Sequence, residues 1–206
     1  IHEHHTIRCW DTAYGKFGIN PKKYQCSIGS LLEHVVNKGE IRHINLLVDL
    51  YNYYSLKFLL PVGGEDIDWL CGDLHLTYTT GKEAFRPLGS VDVKEVSEGE
   101  IAYKDDGGVT CRYWNHRECE RTKFTPRTTN ALILIEDLSR MHMDEFGRIL
   151  KEIKEGIQKY IGGDLELFIL TEDRPRIDLG AEGRKNVNDK KITKQEKLHY
   201  ENEVKQ

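Results

Sequence analysis

Three segments of the chain carry apolar residues at intervals of three and four, the period of an amphipathic helix. They span Ser27–Gly39, Asn45–Leu60 and Met143–Gly162, and Pro61 cuts the second one. The glycines at positions 39 and 162 predict where the first and third helices stop. The predicted apolar faces consist of Leu31, Leu32, Val35 and Val36, then Leu47, Leu50, Tyr51, Tyr54 and Phe58, and last Phe146, Ile149, Leu150, Ile153, Ile157 and Tyr160.

The pattern changes to that of a sheet after Pro61. Leu74, Leu76 and Tyr78 alternate with polar residues, as in a half-buried strand. Residues 101–114 predict a hairpin around 105–108, and residues 85–96 predict mixed strand and loop. The run ALILIE, residues 131–136, is typical of a strand buried on both faces, and LELFIL, residues 165–170, is predicted to close the sheet. This order of helices and strands predicts an α+β fold with a mixed sheet.

The two ends of the chain lack such a pattern. Residues 10–24 carry aromatic residues among polar ones and predict no defined element. The tract HEHH, residues 2–5, has the composition of a metal-binding tract, but its terminal position favours a disordered end. From about residue 174 the chain is almost wholly charged and polar. We therefore expect a folded domain over 1–173 and a tail over 174–206, either an exposed helix or disordered.

Composition limits the classes of protein to consider. The chain has 206 residues, of which 38% are hydrophobic and 31% charged, which fits one globular domain with a small appendage. It has no run of eighteen apolar residues, so no membrane span is expected. Its five cysteines include no C-x-x-C pair, which favours a reduced, cytoplasmic protein. A net charge of -4 argues against a protein coated in nucleic acid but allows a local basic patch.

Familiar catalytic motifs are absent from the sequence. It contains no G-x-x-x-x-G-K-[ST] and no G-x-G-x-x-G after a strand, so nucleotide binding of those kinds has no support. It also lacks a G-x-S-x-G elbow and an H-E-x-x-H helix, which disfavours a covalent nucleophile or a zinc hydrolase. No cofactor or metal is therefore expected.

Two short segments carry candidate chemistry. LPVGGED, residues 60–66, predicts a tight turn that could bring the backbone close to a ligand. Its alternative is a plain helix stop with solvated acids. WNHRECERT, residues 114–122, concentrates charge between the predicted hairpin and the ALILIE strand.

Within and beside WNHRECERT, Arg112, Arg117 and Arg121 surround two glutamates. Guanidinium groups pair bidentately with phosphate or carboxylate, so this cluster suits a negatively charged end group. The ring of Trp114 offers a flat face on which a base could stack. The alternative is a set of exposed Arg–Glu pairs that contribute little stability.

Several blocks, in the same order, resemble one family. VDLYNYYSLKFLLPVGGEDID, residues 48–68, is similar to the VD-x-x-N-Y segment of the tRNA-editing module in the phenylalanyl-tRNA synthetase β subunit. GDLHLTYTTGKEAFRPLGS, GEIAYKDDGGVTCRYWNHRECERT and TTNALILIE continue the match. YGKFGINPKKYQCSIGSLLEHV resembles the start of small freestanding proteins built from that module alone. The resemblance covers roughly residues 10–170.

The resemblance implies an α+β fold whose mixed sheets pack as an unusual sandwich with flanking helices. In the synthetase the module removes wrong amino acids, tyrosine above all, from tRNA charged for phenylalanine. Its chemistry is hydrolysis of an aminoacyl ester without a metal or covalent intermediate, so positioning and electrostatics supply much of the rate. The implied partner is the aminoacylated 3′ end of tRNA, and a synthetase partner is not specified.

The sequence departs from the synthetase pattern at positions that line its editing pocket. Tyr51 replaces a threonine that precedes Asn52, and Gly63 replaces a histidine. Glu136 matches the glutamate that reads the tyrosine hydroxyl. WNHRECERT replaces a glycine-rich segment, which favours a polar pocket for this stretch. The amino-acid preference of the synthetase therefore does not carry over.

The resemblance assigns candidate roles. Arg117 and Arg121 would hold the terminal phosphate or ribose, while Glu118 or Glu120 would orient water or the substrate amine. The catalytic candidates are Arg117, Glu118 and Glu120. The substrate-binding candidates are Asn52, Gly63, Gly64, Glu65, Arg112, Trp114, Asn115, Arg121, Thr122 and Glu136.

Three functions remain open on the sequence. The first is a freestanding hydrolase of mischarged aminoacyl-tRNA. The second is a module that binds tRNA or an amino acid without catalysis, which the changes at Tyr51 and Gly63 motivate. The third is a protein-interaction domain with the polar tail as its contact arm.

Overall fold

A computed structural model describes residues 1–179. Four helices and six strands lie in this part, together with a 3₁₀ turn at Ile67–Trp69. The helices are α1 (His5–Lys16), α2 (Ser27–Lys38), α3 (Leu46–Phe58) and α4 (Met143–Tyr160). The strands are β1 (Val62–Asp66), β2 (His75–Thr80), β3 (Glu98–Asp105), β4 (Gly108–Arg112), β5 (Arg117–Glu118) and β6 (Ala131–Ile135).

The strands form two antiparallel sheets. One contains β1 and β6, paired from Val62 with Ile135 to Asp66 with Ala131, and the other has the order β2-β3-β4-β5. The predicted α+β class, with flanking helices, is confirmed. The prediction of a mixed sheet was wrong for the described residues, since every strand pair there is antiparallel. In the case of β3 and β4, a tight hairpin imposes this pairing.

Helix α1 was not predicted, although it forms part of the core. Ile7, Trp10 and Tyr14 are at most 1% exposed and pack with Ile28 and Ile101. The tract HEHH leads into this helix, and His5 is its first residue. The spacing from Ile7 to Tyr14 is helical, but two of its three apolar positions are aromatic, so the pattern resembled a loop rich in aromatic residues.

The other three helices are confirmed close to their predicted bounds. Gly39 ends α2 in the left-handed conformation, and the Asn45 side chain caps α3 by accepting the Val48 N–H. Helix α4 packs on α3 through a core of Tyr54, Leu60, Ile149, Ile153 and Ile157. Two predicted face residues are exposed: Val36 by 69% and Tyr160 by 56%.

The predicted burial of two strands was wrong. In β2, Leu76 and Tyr78 are exposed and Thr79 is buried, because β2 is an edge strand with an irregular register at Tyr78–Thr80. The ALILI residues of β6 are exposed or half-buried, because their sheet has two strands only.

Two segments adopt a different structure from the predicted one. LPVGGED is not a tight turn, since Val62–Asp66 is the extended strand β1. LELFIL does not close a sheet, since residues 165–170 form no strand and Leu167, Phe168 and Leu170 are 40–51% exposed.

Two further predictions concern membrane-spanning helices and the C-terminal tail. Within residues 1–179 no helix is both long and apolar enough to cross a membrane. Most of the predicted tail, residues 180–206, lies outside the described residues, and the domain boundary at 173 stays a prediction.

Candidate functional site

Three carboxyl groups converge between the two sheets. Glu65 lies on β1, Glu118 ends β5, and Glu136 follows β6. Burial raises the pKa of Glu118 well above its usual value, and the charges of Glu65 and Glu136 raise it further. We call these three residues the carboxyl cluster.

Glu65 is almost fully enclosed. Its residue is 2% exposed, and burial raises its pKa to about 7. The Thr122 hydroxyl donates a hydrogen bond to Glu65, and the Cys119 thiol lies 3.1 Å from the same hydroxyl. Glu65 and Thr122 were both predicted as site residues, and the structure brings them together.

Three side chains donate hydrogen bonds to the carboxylate of Glu136. It accepts the hydroxyl of Tyr103 at 2.7 Å, the indole N–H of Trp114 at 2.5 Å and the amide of Asn115 at 2.5 Å. Burial nevertheless raises its pKa above the usual value. Asn115 in turn accepts the Tyr14 hydroxyl at 2.9 Å, so the cluster is linked to α1.

Glu118 is the least satisfied member of the cluster. It accepts the backbone N–H of Gly64, and no side chain of the described residues donates to it. A Cβ on Gly63 would lie 2.8 Å from Glu118 Oε1, so the bare Cα of this residue makes room for the carboxyl. A Cβ on Gly64 would lie 2.3 Å from the Leu132 carbonyl oxygen, so β1 needs glycine there to pair with β6.

Both departures from the synthetase pattern border Glu118. Burial raises the pKa of the Tyr51 phenol, and the next largest effects on it come from Glu118 and Glu65. The sequence suggested two lost polar positions. The structure places the space at Gly63 and the phenol of Tyr51 beside the Glu118 carboxyl.

The neighbours of Glu118 in sequence face elsewhere. Arg117 is exposed and donates to the Leu88 carbonyl at 2.7 Å. Glu120 accepts the Gly89 N–H at 2.8 Å and pairs with Lys123. Of the three predicted catalytic residues, only Glu118 lies in the carboxyl cluster.

Two predicted phosphate-binding arginines are engaged in internal ion pairs. Arg112 binds Glu100, with an Nε–Oε1 distance of 2.8 Å. Arg121 binds Asp105 through both nitrogens, at 2.6 and 2.9 Å, and its side chain is 8% exposed. Their guanidinium groups are directed at protein carboxylates, and a phosphate contact by either stays a prediction.

Trp114 and Asn52 have different surroundings. Trp114 packs edge-on against Trp10 and Phe17, at ring distances of 5.1 and 5.5 Å, so its ring is a structural partner as well as a candidate stacking surface. Asn52 lies half-buried on α3, next to Tyr51.

Sequence reasoning missed two residues beside the cluster. Tyr103 on β3 donates its hydroxyl hydrogen bond to Glu136. Burial is the largest cause that raises the pKa of Tyr103, and the charge of Glu136 is the next largest. Cys111 on β4 is the cross-strand register partner of Glu118 on β5. Burial is the largest cause that raises the pKa of the Cys111 thiol, and the charge of Glu118 is the next largest. The period-two alternation of the predicted hairpin was the signal that could have found them. Tyr103 and Cys111 are register partners in this hairpin, so their side chains lie on the same face of the sheet.

The cluster has the chemistry of a proton-transfer site. Carboxyls whose pKa is raised towards neutrality can accept and return protons near physiological pH. Within residues 1–179 no group of three His, Cys, Asp or Glu residues is arranged to hold a metal ion.

Comparison with known proteins identifies one matching family. The sequence model of a family described as the B3/4 domain matches residues 9–153, which is more than two thirds of the chain. The match contains all three members of the carboxyl cluster. No curated protein matches the chain.

Proposed function

The chain belongs to the B3/4 domain family, the domain type of the phenylalanyl-tRNA synthetase β subunit, and from that membership we propose that it hydrolyses the ester of mischarged aminoacyl-tRNA in trans. The family relates the chain to tRNA synthetases. The observation that carries the proposal is the inward carboxyl of Glu118, with its raised pKa, beside Gly63 and Gly64.

Glu118 acts as the general base in this scheme. Its carboxylate takes a proton from a water molecule as the water oxygen bonds to the ester carbonyl carbon. The carbonyl–ribose oxygen bond then breaks, and the proton passes to the ribose oxygen, which leaves as a hydroxyl. Glu65 and Glu136 raise the pKa of Glu118, which makes its carboxylate a better base.

The surrounding residues have supporting roles. Gly63 and Gly64 border the amino-acid side of the site, with Asn52 and Tyr51 on the adjacent helix. Thr122 holds Glu65, and Asn115 and Trp114 hold Glu136. Arg117 remains a surface candidate for a phosphate or ribose contact.

The test compares two glutamates of one short segment. The wild-type protein, Glu118→Gln and Glu120→Gln are incubated with a panel of mischarged tRNAs, and release of the amino acid is followed. We expect deacylation of at least one pair, a loss of about 100-fold in Glu118→Gln, and a rate within about threefold of wild type in Glu120→Gln. Absence of deacylation above buffer for every pair contradicts the proposal.

A second function, binding without catalysis, has one observation in its favour. The chain's own Tyr103, Trp114 and Asn115 already donate to Glu136, the residue that matches the ligand-reading glutamate of the synthetase. A binding module would retain salt-sensitive affinity for tRNA. The same panel decides between the two, because a binding module leaves every ester intact.

A further inference from the structure

A basic groove lies on the other side of Trp114 from the carboxyl cluster. It has a volume of about 630 Å³ and is lined by α1 and by residues that follow β6. Its cationic residues are Arg8, Lys16 and Arg140, and Phe17 and Trp114 are its aromatic ones. Among the described residues, no aspartate or glutamate lines it.

The three cations of the groove are not engaged by carboxylates. Arg8, Lys16 and Arg140 are exposed, and within residues 1–179 none of them takes part in an ion pair. Arg112 and Arg121, by contrast, are held by Glu100 and Asp105. Charge for an anionic partner is therefore available in the groove and not at those two arginines.

The arrangement suits an extended polyanion better than a small anion. Arg8 and Lys16 lie eight residues apart on α1, which is about 12 Å along the helix axis. This spacing suits an anion that carries several charges along its length. Phe17 and Trp114 add aromatic surface beside these charges, and bases of single-stranded nucleic acids stack on such rings.

We propose that this groove binds the single-stranded 3′ segment of an RNA, with phosphates against Arg8, Lys16 and Arg140 and a base against Phe17 or Trp114. The choice of RNA rests on the proposed function. Trp114 donates its indole N–H to Glu136, so the groove ends at the wall of the carboxyl cluster. An RNA end that follows the groove is thus separated from Glu136 by the Trp114 side chain alone.

The test removes charge and keeps side-chain length. A triple variant, Arg8→Gln/Lys16→Gln/Arg140→Gln, is compared with a control triple, Lys38→Gln/Arg42→Gln/Lys82→Gln, whose positions are also exposed and lie outside the groove. The probes are deacylated tRNA and a short single-stranded RNA. Affinity is measured for each protein over a range of salt concentrations.

We expect the groove variant to lose at least tenfold in affinity at low salt. The slope of log K against log salt should fall by about 2, since each single-strand phosphate contact contributes about 0.7. The control triple should bind with nearly the wild-type slope. Equal slopes in the groove variant and the wild type, or no RNA binding by the wild type, overturn the inference. Binding of the wild type to anionic lipid vesicles in place of RNA also overturns it.

Failure of the hydrolysis proposal would be visible separately. If no ester is cleaved but RNA affinity depends on Arg8, Lys16 and Arg140, the groove stands and the hydrolase does not. If Glu118→Gln abolishes deacylation while the groove variant binds RNA as the wild type does, the hydrolase stands and the groove does not.

Discussion

At the scale of single residues, Glu118 and Glu120 stand two positions apart and face opposite environments. Strand alternation would place both on one side. However, β5 ends at Glu118. Glu120 therefore points outward, towards Gly89 and Lys123, whereas Glu118 points inward, towards Gly64. The sequence could place a polar site in WNHRECERT, but it could not predict where a two-residue strand ends, and so could not select the inward residue.

Glu65 predicts a dependence of stability on pH. Its pKa rises from 4.5 to about 7 on folding, chiefly by burial. Below pH 4.5 the carboxyl is protonated in both states, and between these values the unfolded chain has released a proton that the folded chain keeps. The free energy of unfolding therefore falls as pH rises through this window.

Glu65→Gln should remove this dependence, because glutamine imitates the protonated acid and still accepts the Thr122 hydroxyl. We expect the variant to be more stable than wild type by about 2–3 kcal/mol at pH 8 and nearly equal to it at pH 4. Urea unfolding at both pH values measures the difference. A variant that is destabilised equally at both would show that Glu65 is not protonated on folding.

At the scale of elements, the contact between α3 and α4 depends on Gly156. A Cβ at this position would lie 1.8 Å from the Tyr54 hydroxyl oxygen, so the helices approach closely there. Gly156→Ala should destabilise the protein by about 1–3 kcal/mol through overpacking, although alanine favours a helix by about 1 kcal/mol. Chemical denaturation of the purified variant measures the loss.

Gly147 on the same helix is the matched control. Nothing lies within 4 Å of a Cβ placed there, so Gly147→Ala should stabilise the protein by up to about 1 kcal/mol. If both alanines stabilise the fold to a similar extent, α3 and α4 do not approach as closely as described.

The elements that sequence predicted well are those with one dominant apolar period. Helix α4 carries aliphatic residues at helical spacing throughout, so its bounds followed from the pattern. Strand β1 was missed because Gly63 and Gly64 occupy two of its five positions, and glycine pairs predict turns. LELFIL has the composition of a strand, but no strand within residues 1–179 pairs with it. Pairing is a tertiary property that composition does not reveal.

At the scale of the whole molecule, Arg121 joins distant segments. Its guanidinium binds Asp105 at the end of β3 and the Trp69 carbonyl after β1. Arg121→Gln should cost about 3 kcal/mol, because it leaves the buried Asp105 carboxylate without its counter-ion. Urea unfolding measures this cost, and Arg117→Gln, which changes an exposed arginine, should stay within about 0.5 kcal/mol of wild type.

A double variant separates the charge from the shape of this contact. Asp105→Asn/Arg121→Gln buries no charge, so it should recover more than half of the stability lost in Arg121→Gln. A double variant as unstable as the sum of its single variants would mean that the ion pair is not what Arg121 contributes.

The hydrogen bond from Tyr14 to Asn115 spans 101 positions, and Trp10 packs on Trp114 over a similar distance. During synthesis α1 leaves the ribosome about 100 residues ahead of these two partners. Before they emerge, its aromatic face can pack only on nearer core residues such as Ile28. The helix is thus made early, and its docking is completed late.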